Sequence, residues 1–291
     1  MNQKLISPQV TPFFDADSHT ISYIVQDPSS SACAVIDPVL EFDYSSGTLS
    51  SSGADAIIEH IQTHELELEW LIETHIHADH VSASSYIKER IGGRLLIGEA
   101  ITVVQRVFGE VYNEDQNFKR DGSQFDLLLK DNDEYSIGNL KARAIHTPGH
   151  TPACMTHIIG DCVFVGDTLF MPDAGTARTD FPGGCAQQIY RSVKRILSLP
   201  QSTRLFMCHD YCPNGRALKF ETTVEEQRQL NIHINETISE SEFVTMREAR
   251  DRALDVPKLI LPSLQINIRA GCLPASSSNN TIYLKIPINA F

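Results

Sequence analysis

Short apolar runs alternate with amphipathic stretches along most of the chain. Residues 22–25 and 32–36 are apolar runs of strand length, joined through Asp27-Pro28-Ser29-Ser30, which predicts a hairpin. Residues 45–53, rich in Ser and Gly, read as a loop. Residues 54–63 carry apolar positions at helical spacing, and the apolar stretch 66–72 that follows reads as a strand. A helix is expected over 83–91, closed by Gly92-Gly93. Strand patterns recur at 127–129, 140–145, 155–159 and 162–165, followed by a helix over 187–198 and a strand over 204–207. A polar helix is expected over 223–235 and another over 242–254, with Ser241 as its cap. The tail from 274 to 281, rich in Pro, Ser and Asn, reads as loosely ordered. No internal repeat is visible. The mixture predicts two sheets covered by helices, with function at the loop ends.

The strand ending at 72 feeds Thr74-His75-Ile76-His77-Ala78-Asp79-His80, three imidazoles and a carboxylate within one short run. Imidazole nitrogens and carboxylate oxygens are ligands for zinc, iron or manganese. In a tight loop they can converge on one point, whereas on a regular strand they would alternate faces. Further candidates stand where other strands end: His150 in Thr147-Pro148-Gly149-His150, Asp167 in Val165-Gly166-Asp167-Thr168, and His209 in Cys208-His209-Asp210-Tyr211. A lone His or Asp in such a place is more often a hydrogen-bonded structural residue. Together, and in this order, they point to one metal centre.

Composition narrows the setting. A chain of 291 residues can form one elaborated domain or two small ones. It has no unbroken apolar run of the roughly 18 to 20 residues that span a membrane. Residues 1–15 lack a basic region followed by an apolar stretch, so no secretory signal is expected. Seven cysteines, odd in number and without zinc-finger spacing, are expected as free thiols in a reducing cytoplasm. The formal charge of -13 argues against a nucleic-acid or anionic-membrane surface. It leaves room for a local basic pocket that takes an anionic small molecule.

The order His-x-His-x-Asp-His, Pro-Gly-His, Gly-Asp, His resembles the metallo-β-lactamase superfamily over about residues 23–211. The resemblance implies an α/β fold: an αββα sandwich of two mixed β-sheets flanked by helices, with the metal site at one edge. The whole chain, 1–291, is then expected as one such domain, with C-terminal helices and tail from about 223. Its ligand positions fall on His75, His77, Asp79, His80, His150, Asp167 and His209. That superfamily contains both hydrolases and oxygenases, so fold does not settle chemistry.

Within it the chain looks like the persulfide dioxygenases. The similarity rests on Phe14-Asp15 with Thr20-Ile21-Ser22-Tyr23, the metal loop, Gly166-Asp167-Thr168-Leu169-Phe170, Arg178-Thr179-Asp180-Phe181 and His209-Asp210-Tyr211. The stretch from Pro262-Ser263-Leu264-Gln265 to Gly271 resembles the bacterial β-lactamase-hydrolase-like branch. Some of its members carry a rhodanese-like domain, which is not expected here. Ala177 stands where Gly often precedes the Arg-Thr-Asp-Phe run. The resemblance implies one Fe(II) per chain on His75, His150 and Asp167, with His77, Asp79, His80 and His209 arranging those ligands and handling protons. It further implies O₂ and a low-molecular-weight persulfide, most plausibly glutathione persulfide, as substrates, with sulfite and free thiol as products. A rhodanese-type sulfurtransferase is a conceivable partner, and a homodimer a conceivable assembly. The rival is a glyoxalase II-like thiolester hydrolase with a second metal, zinc, and Asp167 shared between the two.

Residues around the site keep two readings each. Arg178 is either a fork for a substrate carboxylate or an ion-pair partner of Asp180. Tyr211 offers a hydroxyl to substrate or packs in the core. Arg216 and Lys219 form a basic rim for a substrate carboxylate or are solvated charges. Cys154, Cys185, Cys208 and Cys212 are small hydrophobes or sulfur relays. His146 is expected to point away from His150.

Overall fold

A computed structural model describes residues 7–290. Its first half runs through β1 (Gln9–Phe14), β2 (Ile21–Gln26), β3 (Ala32–Ile36), β4 (Val39–Asp43), β5 (Thr48–Ser50), α1 (Ser52–Thr63), β6 (Glu67–Ile72), β7 (Val81–Ser82), α2 (Ser84–Ile91), β8 (Arg94–Gly98), α3 (Ile101–Val111) and β9 (Leu127–Leu129). The second half comprises β10 (Glu134–Ile137), β11 (Leu140–His146), β12 (Met155–Ile159), β13 (Cys162–Phe164), α4 (Ala186–Ile196), β14 (Arg204–Phe206), β15 (Glu221–Thr223), α5 (Val224–Leu230), α6 (Glu240–Asp251) and α7 (Ile260–Asn267). The reading of the N-terminal stretch as free of an export signal bears partly on residues 1–6, which lie outside the described residues.

Two six-stranded sheets form the centre, in the orders β1-β2-β3-β6-β8-β9 and β10-β11-β12-β13-β14-β15. Both are mixed: β1, β2 and β3 pair antiparallel, while β3, β6, β8 and β9 run parallel. In the second sheet only β13 and β14 are parallel. Side-chain alternation explains the layers. Ile21, Tyr23 and Val25 of β2, with Ala34 and Ile36 of β3, meet Leu140, Ala142, Ala144, Phe164 and Phe206 between the sheets. Their neighbours Ile24, Cys33 and Val35 face the other way, onto Ile57, Ile61, Ile87, Val104 and Phe108 of α1, α2 and α3. On the outer face of the second sheet, Val163 and Leu205 meet Ile189, Val193 and Ile196 of α4 and Phe243 of α6. These layers are the expected αββα sandwich. No helix among the described residues is long and apolar enough to cross a membrane.

Three local expectations shift for identifiable reasons. The helix expected over 223–235 ends at Leu230, because the Asn231 carboxamide oxygen accepts from the His233 and Ile234 amides and offers the backbone a turn instead. The next helix is capped by Ser239 in a capping box with Glu242, not by Ser241. Residues 48–50, expected within a loop, add a short strand to β4.

One buried histidine gives the fold a pH dependence. His157 on β12 is fully buried, with Nδ1 2.9 Å from the Tyr135 hydroxyl. Burial pushes its imidazole down to about 4 from 6.5. The unfolded chain therefore binds the proton more readily. The contribution to stability is whole above about pH 6.5 and is lost as pH falls toward about 4. Urea unfolding at pH 7 and pH 5 should show His157→Phe losing about 2 kcal/mol less than wild type over that interval.

Candidate metal centre

Strands of both sheets end at one edge and deliver the polar residues there. The loop after β6 carries His75, His77, Asp79 and His80; the turn after β11 carries His150; a 3-10 turn at Gly166–Thr168 after β13 carries Asp167; β14 leads to His209. Gly166 has φ +51, and a Cβ there would lie 2.7 Å from Thr74 Oγ1. A side chain would push the Asp167 turn off the histidine loop, so this position needs glycine on both counts.

His75, His150 and Asp167 bring one ligand atom each within 4.8 Å of one another. Asp167 Oδ2 lies 3.9 Å from His75 Nε2 and 3.7 Å from His150 Nε2. Both imidazole tautomers are already set. His150 Nδ1 is 2.9 Å from the Arg178 carbonyl, which can only accept, so Nδ1 carries the proton. The Thr74 hydroxyl donates to Asp37 Oδ2 and therefore accepts from His75 Nδ1, at 3.0 Å. In each ring Nε2 is left with a lone pair aimed at the cluster. Burial, and then the neighbouring His77 and His150, push His75 well below its ordinary range. It is neutral, the form that binds metal.

A second cluster adjoins the first through Asp167. His209 Nε2 lies 3.3 Å from both Asp79 Oδ2 and Asp167 Oδ1. Burial opposes charge on Asp79, but His209 and His80 hold it well below the usual carboxylate range. His77 Nδ1, Asp79 Oδ2, His80 Nε2, Asp167 Oδ1 and His209 Nε2 are all buried without a hydrogen-bond partner. Folded proteins leave only a few such atoms per hundred residues, so their gathering at one edge calls for an explanation. Those of Asp79, Asp167 and His209, with both carboxylate oxygens 3.3 Å from His209 Nε2, fit a bound divalent cation.

Several supports lay outside the sequence reading. Asp37 accepts from His77 Nε2 at 3.0 Å and from the Thr74 amide at 2.8 Å. Glu73 Oε2 stands 3.3 Å from the same His77 nitrogen. Burial works against a charge on His77, yet Asp37 and then Glu73 lift it well above its ordinary value. Thr20 Oγ1 lies 3.1 Å from His80 Nδ1 and 3.4 Å from His209 Nδ1. Asp251 of α6 accepts from the Thr179 amide and hydroxyl, fixing the segment whose Arg178 carbonyl holds His150.

A cavity of about 490 Å³ opens onto Asp79, His150 and Asp167. Tyr211 lines it, stacked on His209 with ring centroids 5.7 Å apart. The Arg216 guanidinium is shared between Asp173 and Asp210, and neither it nor Lys219 is among the residues lining the cavity, so the expected basic rim is not found there. Arg250 and Lys258 line the cavity instead. They sit on and after α6, far in sequence from any metal motif. Arg178 also lines the cavity, but its fork is bidentate to Asp180 at 2.6 Å and its remaining nitrogen donates to the Asp255 carbonyl. That geometry favours the ion-pair reading. Asp180→Ala should lower stability by about 1 kcal/mol, and Arg178→Ala by more, because it also loses the bond to the Asp255 carbonyl. The double variant should be no worse than Arg178→Ala alone, as a thermal-unfolding cycle would reveal.

His146 Nε2 donates to the Pro152 carbonyl, away from the cluster. No cysteine lines the cavity. Burial pushes Cys154 up to about 12 and Cys208 well above its usual value, which makes both poor nucleophiles. The seven cysteines are free.

A family model described as "Metallo-beta-lactamase superfamily" matches residues 17–209. A probable metallo-hydrolase of Burkholderia pseudomallei is 51% identical over 97% of this chain and 99% of its own. A beta-lactamase hydrolase-like protein of Agrobacterium fabrum is 49% identical over 99% of this chain, which spans 66% of that protein. Glyoxylase B2 of Dictyostelium discoideum is 46% identical, covering 97% of both chains. The mitochondrial persulfide dioxygenase ETHE1 of Bos taurus is 31% identical over 89% of this chain and 87% of its own. Among solved structures, ETHE1 from Myxococcus xanthus superposes with a TM-score of 0.73 at 28% identity, covering 91% of this chain and 100% of that one.

Proposed function

The chain belongs to the metallo-beta-lactamase superfamily, and from that premise we propose that it is an iron-dependent persulfide dioxygenase. Its substrate is a low-molecular-weight thiol persulfide, glutathione persulfide foremost. The observation that carries the reading is the set His75 Nε2, His150 Nε2 and Asp167 Oδ2, with both imidazoles oriented in advance by their Nδ1 bonds. Two imidazoles and one carboxylate with open positions beside them are the donor set of non-haem iron oxygenases. Likeness to persulfide dioxygenase ETHE1 in sequence and to an ETHE1 in structure supports it.

A bound Fe(II) would supply the activation of O₂ and the oxidation of the outer sulfur. One persulfide, one O₂ and one water give one thiol, one sulfite and two protons. The chain's own groups bind and orient. Phe170, Ala174 and Ala177 line the cavity and keep bulk water from it. The Tyr211 hydroxyl is placed to donate to a bound sulfur or oxygen. His209 stands beside Asp167, and His80 beside Asp79, where they orient the carboxylates and handle released protons. Arg250 and Lys258 hold the carboxylates of the carrier thiol. Replacing both with Ala should raise KM for glutathione persulfide about tenfold or more, since each loses a charge-assisted hydrogen bond, and leave iron content unchanged. Steady-state kinetics with metal analysis would decide it.

A specific observation favours a second reading, a binuclear thiolester hydrolase of the glyoxalase II type. The unpartnered atoms of Asp79, His80 and His209 form a cradle for a second metal next to Asp167. The relatives of higher identity carry hydrolase or glyoxylase names. An oxygen electrode separates the two. The dioxygenase consumes O₂ with glutathione persulfide and releases sulfite. No uptake by iron-loaded protein, together with rapid hydrolysis of S-lactoylglutathione, would replace it with the hydrolase.

A further inference from the structure

The segment that ends α7, Gln265 to Gly271, contributes no donor to the metal centre, yet it touches the histidine loop directly. Asn267 is 2% exposed. Its Nδ2 donates to the His77 carbonyl at 2.9 Å and to the His80 carbonyl at 2.8 Å, and its Oδ1 accepts from the Ser82 amide at 2.8 Å. A carboxamide has two N–H donors and one oxygen, and here every one is used on the loop. The orientation is fixed, because the two carbonyls can only accept and the amide can only donate. The turn after α7 lies against the same backbone. Ser85 Oγ donates to the Ala270 carbonyl at 2.5 Å. Gly271 has φ +84, and a Cβ there would stand 2.8 Å from the Ser82 carbonyl oxygen.

The backbone of residues 77–82 has no sheet partner along most of its length, since only Val81–Ser82 forms a strand, two residues long. Its carbonyls are buried and need donors. A chain segment about 190 residues away supplies them through one side chain. We propose that Asn267 is a positioning residue for the metal centre, which sets the curvature of the histidine loop so that His75, His77, Asp79 and His80 converge. Metal binding and docking of α7 are then one coupled equilibrium, and each stabilises the other. The inference rests on the metal-centre reading and is independent of whether the enzyme is an oxygenase or a hydrolase.

The test uses Co(II) as a spectroscopic probe and amide hydrogen exchange on the full chain. In wild type, Co(II) should slow exchange across residues 260–271 more than across α1, whose Ser52 and Asp55 side chains bond to Glu41 and Tyr86 and not to the histidine loop. Asn267→Asp keeps the shape and the bond from Ser82 but presents no N–H to the two carbonyls. It should weaken Co(II) binding about ten- to a hundredfold, change the Co(II) absorption spectrum and abolish the extra protection. Gln265→Ala is the control. Gln265 lies on the same helix and bonds to the Leu261 and Lys285 backbone instead, so this variant should bind Co(II) as wild type does. Equal affinity in Asn267→Asp, or an equal loss in Gln265→Ala, would overturn the proposal. So would wild-type protection no greater in residues 260–271 than in α1, a result that stands even where Asn267→Asp does not fold. Failure of wild type to bind Co(II) at all would instead overturn the metal-centre reading.

Discussion

Replacing His75, His150 or Asp167 with Ala is expected to abolish metal retention through purification and dialysis. Under the mononuclear reading each removes one of three protein donors. His77 is engaged with Asp37 and Glu73 through Nε2, and His209 Nε2 is directed at Asp79 and the far oxygen of Asp167. Asp167→Ala should disturb the second cluster as well, because its Oδ2 faces His75 and His150 while its Oδ1 faces His209. His80→Ala and His209→Ala should retain most of the iron, with activity reduced about ten- to a hundredfold, as for groups that orient ligands. Elemental analysis of the five variants is the check. Complete metal loss in His80→Ala or His209→Ala would mean that the second cluster holds metal too. That result would favour the binuclear hydrolase.

The parts of this site that can be read from sequence are those whose chemistry is unusual for their position. Three histidines and an aspartate in one loop, and single ligands ending strands after Pro-Gly or Gly, stand out because metal donors rarely gather there without cause. Their supports carry no such mark. Asp37 lies 37 residues from Thr74 and 40 from His77; Asn267 lies 190 from His77. Each is an ordinary polar residue until folding buries it. Sequence offers Arg216 and Lys219 as a basic rim or as solvated charges. Asp173, from a loop 43 residues away, captures Arg216, and the cavity is lined instead by Arg250 and Lys258, beside Arg178 and Arg247, which are held by Asp180 and Asp251. Helix α3 was missed although its buried positions Ile101, Val104, Gln105 and Phe108 follow helical spacing. Its Ile, Thr, Val and Phe content favours strands, and packing on the first sheet overrides that preference.

Asp37→Ala is expected to destabilise the protein by about 3 to 5 kcal/mol, the cost of removing one partner from a buried charged pair. Asp37 follows β3 and is 2% exposed. Burial opposes its charge, but His77 and the Thr74 bonds hold its carboxyl below the usual range. Without it, His77 Nε2 keeps only Glu73, and the Thr74 amide loses its acceptor. The Thr74 hydroxyl, freed to rotate, no longer has to accept from His75 Nδ1. The tautomer of a metal ligand is then unlocked from a position that never meets the metal. Two measurements separate the consequences. Urea unfolding of the metal-free variant reports the lost pair. Co(II) titration at a urea-free temperature where the variant is fully folded reports the lost tautomer control, expected at about ten- to a hundredfold in affinity. Asp37→Asn keeps the size and one acceptor oxygen, so it should fall between Ala and wild type in both. If Asp37→Ala binds Co(II) as tightly as wild type, the Thr74 relay has no part in preparing His75, and the carboxylate serves the fold alone.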